Sequence, residues 1–128
     1  MAKTFLIWGC TLAGIGVVLG AFGAHGLKKL VDANTLGSYQ TGVQYQLYHA
    51  LALLAVGILL RNFQPASFSL AGYCFLLGIL FFSGSIYAIT FLKSMNNPVP
   101  TVVGILTPIG GLFFIAGWIA LLFSVIKN

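Results

Sequence analysis

Residues Val102–Ile126 read VVGILTPIGGLFFIAGWIALLFSVI, with no Asp, Glu, Lys or Arg among them. A helix needs about 20 predominantly apolar residues to cross roughly 30 Å of hydrocarbon, so this stretch by itself argues for a membrane span. Working outward, the charged residues leave four uncharged windows: Thr4–Leu27, Ala33–Leu60, Asn62–Leu92 and Ser94–Ile126. Each is long enough to cross the bilayer as a helix. Composition agrees: the 128 residues are 59% hydrophobic and 5% charged, with a mean hydropathy of +1.04. A soluble domain carries about 25% charged residues, and this chain has too few to cover a water-facing surface. The expected fold is all-α, an integral membrane four-helix bundle with short loops. It forms a single domain over residues 1–128, with spans at about 4–24, 39–60, 68–92 and 102–126.

The formal charge is +5 and the pI about 9.5. In a soluble protein this would suggest nucleic acid. Here the six basic residues stand singly or as one pair at the ends of the windows, as headgroup anchors do, and no cluster for nucleic-acid phosphates is present. Lys3, the apolar run after it and Ala21-Phe22-Gly23-Ala24 have the outline of a signal peptide. Three further apolar spans make an uncleaved first helix the simpler expectation. Ile7-Trp8-Gly9-Cys10 lies too near Met1 to be a lipid-attachment site with an apolar region before it.

The first span is rich in small residues, among them Gly9, Gly14, Gly16, Gly20 and Gly23. Gly16 and Gly20 form a small-xxx-small pair that lets another backbone approach closely. This helix is therefore expected to be the most buried, within the protomer or in an oligomer interface. Between the first two spans, Leu27, Leu30 and Val31 recur at helical spacing opposite Lys28 and Lys29, predicting a short interfacial turn. Asp32 or Asn34 is a candidate cap for the second span. Asn62-Phe63-Gln64-Pro65 predicts a tight turn, and Lys93–Pro100, with two prolines and two asparagines, predicts a loop. Cys10 and Cys74 come at similar depth and are expected to be neighbouring inert thiols.

No span contains Asp, Glu, Lys or Arg, and the only acid, Asp32, lies in a connection. Ion-coupled transporters usually need an ionisable residue in the membrane, which leaves His49, mid-span, and His25, at a span end. On the second span Thr41, Tyr45, Tyr48, His49 and Ala52 share one helical face with Gln44 at its edge, and that face is expected to point inward. With both termini on one side (side A), chain direction brings Ser83, Ser85 and Tyr87 of the third span and Thr107 of the fourth toward the opposite side (side B). Pro108 lacks an N–H, so the Gly104 carbonyl loses its helical donor, and Gly110-Gly111 is expected to loosen the helix further. A polar cluster of His25, Gln44, Tyr45, His49, Ser83, Ser85, Tyr87 and Thr107 is the candidate ligand site, with His49 mostly neutral and bonded to Ser83, Ser85, Tyr87, Thr107 or the freed carbonyl. The plainer alternative is that these groups only lock the helices together. No metal site is expected, because two histidines far apart and no carboxylate make a poor ligand set. No cofactor is expected, and no nucleophile, base and orienting acid form a catalytic pattern.

Four stretches carry a resemblance: Ala21-Phe22-Gly23-Ala24-His25-Gly26-Leu27; Thr41-Gly42-Val43-Gln44-Tyr45-Gln46-Leu47-Tyr48-His49-Ala50-Leu51-Ala52-Leu53; Leu80-Phe81-Phe82-Ser83-Gly84-Ser85-Ile86-Tyr87; and Thr107-Pro108-Ile109-Gly110-Gly111, with Gly117-Trp118 beyond. In order and spacing the chain resembles the YgdD/YwdK-like family of small membrane proteins of unknown function, over nearly its whole length. The resemblance implies four spans and supplies no activity. It also implies that His25, Tyr45, His49, Ser83, Tyr87, Thr107 and Pro108 belong to the family's shared motifs.

The expected function is that of a non-enzymatic, multi-pass, homo-oligomeric protein of the cell membrane (bacterial inner or plasma membrane). It is structural, or binds lipid or an unidentified small molecule in a polar pocket opening on side B. Membrane lipids are the expected partners and nucleic acid is not. The alternative is a small homo-oligomeric transporter or channel, similar in size and span count to the small multidrug-resistance proteins but lacking their glutamate in the first span. Orientation is open. Lys3, Arg61 and Lys127 lie on side A, and Lys28, Lys29 and Lys93 on side B, a tie under the positive-inside rule. Weak orientational preference is the sharper expectation; a fixed orientation set by the terminal amine or the Lys28-Lys29 pair is its rival. If insertion is dual, cytoplasm-active and periplasm-active reporters fused to Asn128 are both active, and two lysines added at either end swing the signal one way. One active reporter in the unmodified protein rules dual insertion out.

Overall fold

The computed structural model describes residues 1–63 and 66–127. Gln64, Pro65 and Asn128 lie outside the described residues, and with them half of the expected turn; Asn62 and Phe63 belong to a helix. The elements are α1 (Ala2–Ala24), a 3-10 turn (Leu27–Lys29), α2 (Ala33–Phe63), α3 (Ala66–Gly78), a π-helical turn (Ile79–Ser83), α4 (Gly84–Ser94) and α5 (Thr101–Lys127). α3, the π turn and α4 run on as one span, so four helices are long and apolar enough to cross a membrane. The all-α bundle expected from sequence is what the chain forms.

Local chemistry fixes the helix ends. The Thr35 N–H donates to Asp32 Oδ1 at 3.0 Å, an N-cap that satisfies one of the orphan donors of a first turn. Of the two candidate caps it is Asp32, and α2 begins at Ala33 rather than near Tyr39. The connection before it shrinks to the 3-10 turn, pinned by buried Leu27. At the far end of α4, Asn96 adopts a left-handed φ of 58°. Its N–H donates to the Lys93 carbonyl at 3.1 Å and that of Asn97 to the Leu92 carbonyl at 2.9 Å. These two bonds form the Schellman closure, and asparagine tolerates the left-handed position better than most residues. Pro98 follows and stops the helix. Pro108 does not: α5 runs through it without a break.

The main pairings are α1 on α2 and α3 on α5, and α2 also packs on α3, α4 and the π turn. α2 is therefore the central helix. Half of its most apolar stretch is buried, against 17% for the first span, so the expectation that the glycine-rich helix is the most buried within the protomer is wrong. The glycines of α1 are not a sign that it is surrounded. Gly9, Gly16, Gly20 and Gly23 form one seam on which α2 lays its side chains, while Trp8, Ile15, Val17, Val18 and Phe22 point outward. A Cβ at Gly9 would stand 2.7 Å from Leu54, one at Gly16 2.7 Å from Leu47, and one at Gly20 3.3 Å from Val43. Cys10 lies exposed on the outer surface, and Cys74 is partly buried, its Cβ facing Gly117 of α5.

The apolar core sits toward side A, around Phe5, Leu53, Val56, Phe68 and Phe75. A smaller cluster, Leu27, Tyr39 and Val43, closes the side B end of the α1–α2 seam. The tightest approach joins α5 to the π turn: a Cβ at Gly110 would come within 2.2 Å of the Phe82 backbone nitrogen. Backbone cannot swing aside as a flexible side chain can, so Gly110→Ala must part the two helices. We expect it to destabilise the protein by about 3 kcal/mol, the upper range for overpacking. Gly14→Ala, with nothing within 4 Å of the new methyl, should stay within about 0.5 kcal/mol of the parent. Equilibrium unfolding in a detergent series measures both; equal stability of the two variants contradicts the packing described.

Candidate functional site

The inward face of α2 carries Tyr39, Gly42, Val43, Gln46, His49, Ala50, Leu53, Val56, Gly57 and Leu60. The expected face is off by about one position. His49 and Ala52 are buried, but Tyr48 is 56% exposed, Thr41 and Gln44 are exposed, and Tyr45 is only half-covered. The true face puts Gln46 at the centre of a polar relay. Its Nε2 donates to the Leu12 carbonyl of α1 at 2.8 Å, and its Oε1 accepts from the Tyr87 hydroxyl of α4 at 2.6 Å. Nearby, the Tyr39 hydroxyl donates to the Leu19 carbonyl and Ser83 Oγ to the Gly42 carbonyl at 2.7 Å. These bonds stitch α1 to α2 and α2 to the third span.

His49 sits in an aromatic box. Its ring stacks on Phe114 at 3.6 Å and 11°, with Phe75 at 5.4 Å. Nδ1 lies 2.7 Å from the Tyr45 carbonyl. A carbonyl only accepts, so Nδ1 carries the proton and Nε2 is the acceptor for Trp118 Nε1–H, at 3.0 Å. Both nitrogens are satisfied in one neutral tautomer. The histidine faces inward, as expected, but its partner is Trp118 and not Ser83, Ser85, Tyr87, Thr107 or the Gly104 carbonyl. Depth is the reason. With α2 starting at Ala33, His49 lies sixteen residues along its helix. Trp118 lies seventeen along α5, whereas Thr107 lies six along it.

α2, α4 and α5 leave a groove open on side B. Thr35, Ser38 and Thr41 of α2, Thr90 and Lys93 of α4, and Thr107 of α5 line about 340 Å³ of it. Its base is closed by the 2.6 Å contact between Ser85 Oγ and Thr107 Oγ1. An outer recess of about 420 Å³ shares Thr35 and Lys93 and adds Lys29, Asp32 and Asn96. Hydrogen bonding from the Thr35 side chain and N–H, with Lys93 a weaker influence, holds the Asp32 carboxyl below the usual carboxylate range. It is charged at neutral pH, and the stability this cap contributes is lost as pH falls through that lowered value. One turn further into the membrane on both helices, Tyr45, His49, Pro108, Gly111, Ile115 and Trp118 line a further recess of about 390 Å³.

The eight candidate residues thus fall into separate places instead of one cluster. Ser83 and Tyr87 belong to the seam with α2, Ser85 and Thr107 to the base of the side B groove, and Tyr45 and His49 to the aromatic recess. His25, which caps α1, and Gln44 are exposed and join none of these. Gln46 and Trp118 were missed. The signal for Gln46 was present in the sevenfold spacing Tyr39–Gln46–Leu53–Leu60. Trp118 gave none short of correct helix lengths. Among the described residues no buried side-chain nitrogen or oxygen is left without a partner.

Comparison with known proteins agrees with this architecture. A family profile described as "Protein of unknown function (DUF423)" matches residues 19–111. The chain is 38% identical over 126 residues to the UPF0382 membrane protein YwdK of Bacillus subtilis, covering 98% of each. It is 35% identical over 128 residues to the UPF0382 inner membrane protein YgdD of Escherichia coli, covering 99% of this chain and 93% of that one. A UPF0382 membrane protein of Haemophilus influenzae is 42% identical over 113 residues, 88% of this chain and 85% of its own. No solved structure matches. By profile, by identity over nearly full length and by its four apolar helices, the chain belongs to the DUF423 (UPF0382) family of membrane proteins.

Proposed function

We propose that the protein is a non-enzymatic integral membrane protein that binds one small amphiphile, a lipid or lipid-like molecule, in the groove opening on side B. The observation that carries this reading is the groove itself. Tyr39, Gln46, Ser83 and Tyr87 are used to join helices, whereas Ser38, Thr41 and Thr107 line a space large enough for part of a ligand, Thr41 and Thr107 while bonded to the Gly37 carbonyl and to Ser85. Lipids and a second copy of the chain are its proposed partners; the scattered basic residues speak against nucleic acid. The name of the Escherichia coli relative, an inner membrane protein, supports placement in the bacterial inner or plasma membrane. A proton-coupled transporter has less support, because both ring nitrogens of His49, the histidine deep in a span, are already engaged.

Native mass spectrometry of the protein released from mild detergent tests the reading. The parent protein should carry one amphiphile per chain. Ser38→Leu with Thr41→Leu fills the groove and removes one or two hydrogen bonds, so retention should fall about tenfold with helicity unchanged. A parent protein that carries nothing, or a filled groove that retains as much, overturns the reading. Proton-driven uptake into liposomes would establish the transporter in its place.

A further inference from the structure

We propose that the gap between α2 and α5 seats a single anionic phospholipid, its phosphate against Lys29 and Lys93 and one acyl chain running inward to the His49–Trp118 pair. The proposal rests on the amphiphile reading above and names the ligand class. Three features of the gap point to it. The first is how the gap is walled. α2 packs closely on α1, α3 and α4, but it is tied to α5 through aromatic side chains: His49 on Phe114 and Trp118, and Tyr45 on Phe114. Pro108, Leu112 and Ile115 along this gap are exposed, so it opens sideways, where a lipid diffusing in the bilayer enters.

The second is the order of chemistry down the gap. At the side B mouth stand Lys29, Lys93 and Asn96. The one acid there, Asp32, is charged as well, but Lys29 and Lys93 outnumber it, so the mouth is net positive and favours a negative group. Below it come the hydroxyls of Ser38, Thr41 and Thr107, at the level of a lipid's glycerol and ester oxygens. Below those the lining turns apolar, with Pro108, Gly111, Leu112 and Ile115. Cation, hydroxyl, hydrocarbon is the sequence of a glycerophospholipid read from its head.

The third is length. From Thr35 at the mouth to His49 is fourteen residues of helix, about 21 Å. One leaflet offers roughly 15 Å of hydrocarbon, half of about 30 Å, with the headgroup beyond. The gap therefore matches a whole lipid in one leaflet and exceeds what a free phosphate or a soluble headgroup would fill. Gly111 lines the channel: a Cβ there would meet only Phe82 Cδ2, at 3.9 Å, so a larger side chain extends into the recess that the acyl chain occupies.

Trp118 reports directly on the inner end. The chain has two tryptophans, and Trp8→Phe leaves Trp118 as the sole tryptophan, excited selectively over the tyrosines at the red edge of the absorption band. The protein is placed in phosphatidylcholine vesicles containing a small fraction of either phosphatidylglycerol or phosphatidylcholine brominated at mid-chain. The expected result is stronger quenching by the brominated phosphatidylglycerol. Its preference should fall about fivefold for each of Lys29→Gln and Lys93→Gln, stay unchanged in Lys28→Gln, whose side chain is outside the gap, and survive added inorganic phosphate. Gly111→Leu should sharply reduce quenching by both lipids. Equal quenching by the two lipids, an equal loss in Lys28→Gln, or displacement by inorganic phosphate overturns the anionic-lipid assignment. If Gly111→Leu still lowers quenching in those cases, the amphiphile reading stands without it. Quenching unmoved by Gly111→Leu removes the acyl chain from the gap and overturns the proposal, whatever the mass spectrometry shows of the wider groove.

Discussion

Inside a bilayer a hydroxyl, an amide or an imidazole has no water to turn to, so each must find its partner within the protein. The four spans are arranged around that demand. Gln46 reaches back to α1 and is reached by Tyr87 from α4. Ser83 finds a carbonyl of α2, and His49 is held between its own helix and α5. Each bond joins helices that lipid alone would not drive together, since lipid tails are as apolar as leucine. Once these groups are spoken for, the hydroxyls that line open space stand out by contrast, and they gather at one end of the molecule.

Close approach of backbones is the second part of the design. Glycines at positions 9, 16 and 20 let α2 settle on α1, and Gly110 lets α5 lie against the π turn. Between α2 and α5 no glycine brings the backbones together, and bulky rings span the distance instead. The same four helices thus make a tight apolar core toward side A and a looser, hydroxylated opening toward side B. The π turn sits where these two regimes meet. Such turns occur mostly as single-turn insertions within α-helices, frequently at functional sites; here it carries Phe82, which both stacks on Tyr45 at 4.8 Å and receives Gly110.

The spans were legible because hydrocarbon forbids charge over a fixed length, and the positions of seven charged residues are enough to count four windows. The inward turn of His49 was legible too, as an imidazole at mid-membrane has little choice. Its partner was not. That depended on where α2 begins, and the Asp32 cap moves the start six residues earlier than the apolar pattern alone suggests. The face of α2 was misread by about one position because tyrosines at 45 and 48 look like interior residues, while an amphipathic ring sits equally well at an outer surface. The burial of α1 was misread because glycine content records how near a neighbour comes, not how many neighbours there are.

The early start of α2 has a mechanical consequence. The helix is 31 residues long, about 46 Å, against roughly 30 Å of hydrocarbon. Its first two turns, with Thr35 and Ser38, therefore stand in the headgroup layer in a bilayer of ordinary thickness. A thicker membrane draws these hydroxyls toward hydrocarbon, and a thinner one leaves Tyr45 nearer to water. Hydrophobic mismatch costs only fractions of a kcal/mol per ångström, but here it acts on the rim of the groove. The depth of that rim, and with it the access of anything entering from the leaflet, is coupled to membrane thickness by the position of a single capping aspartate.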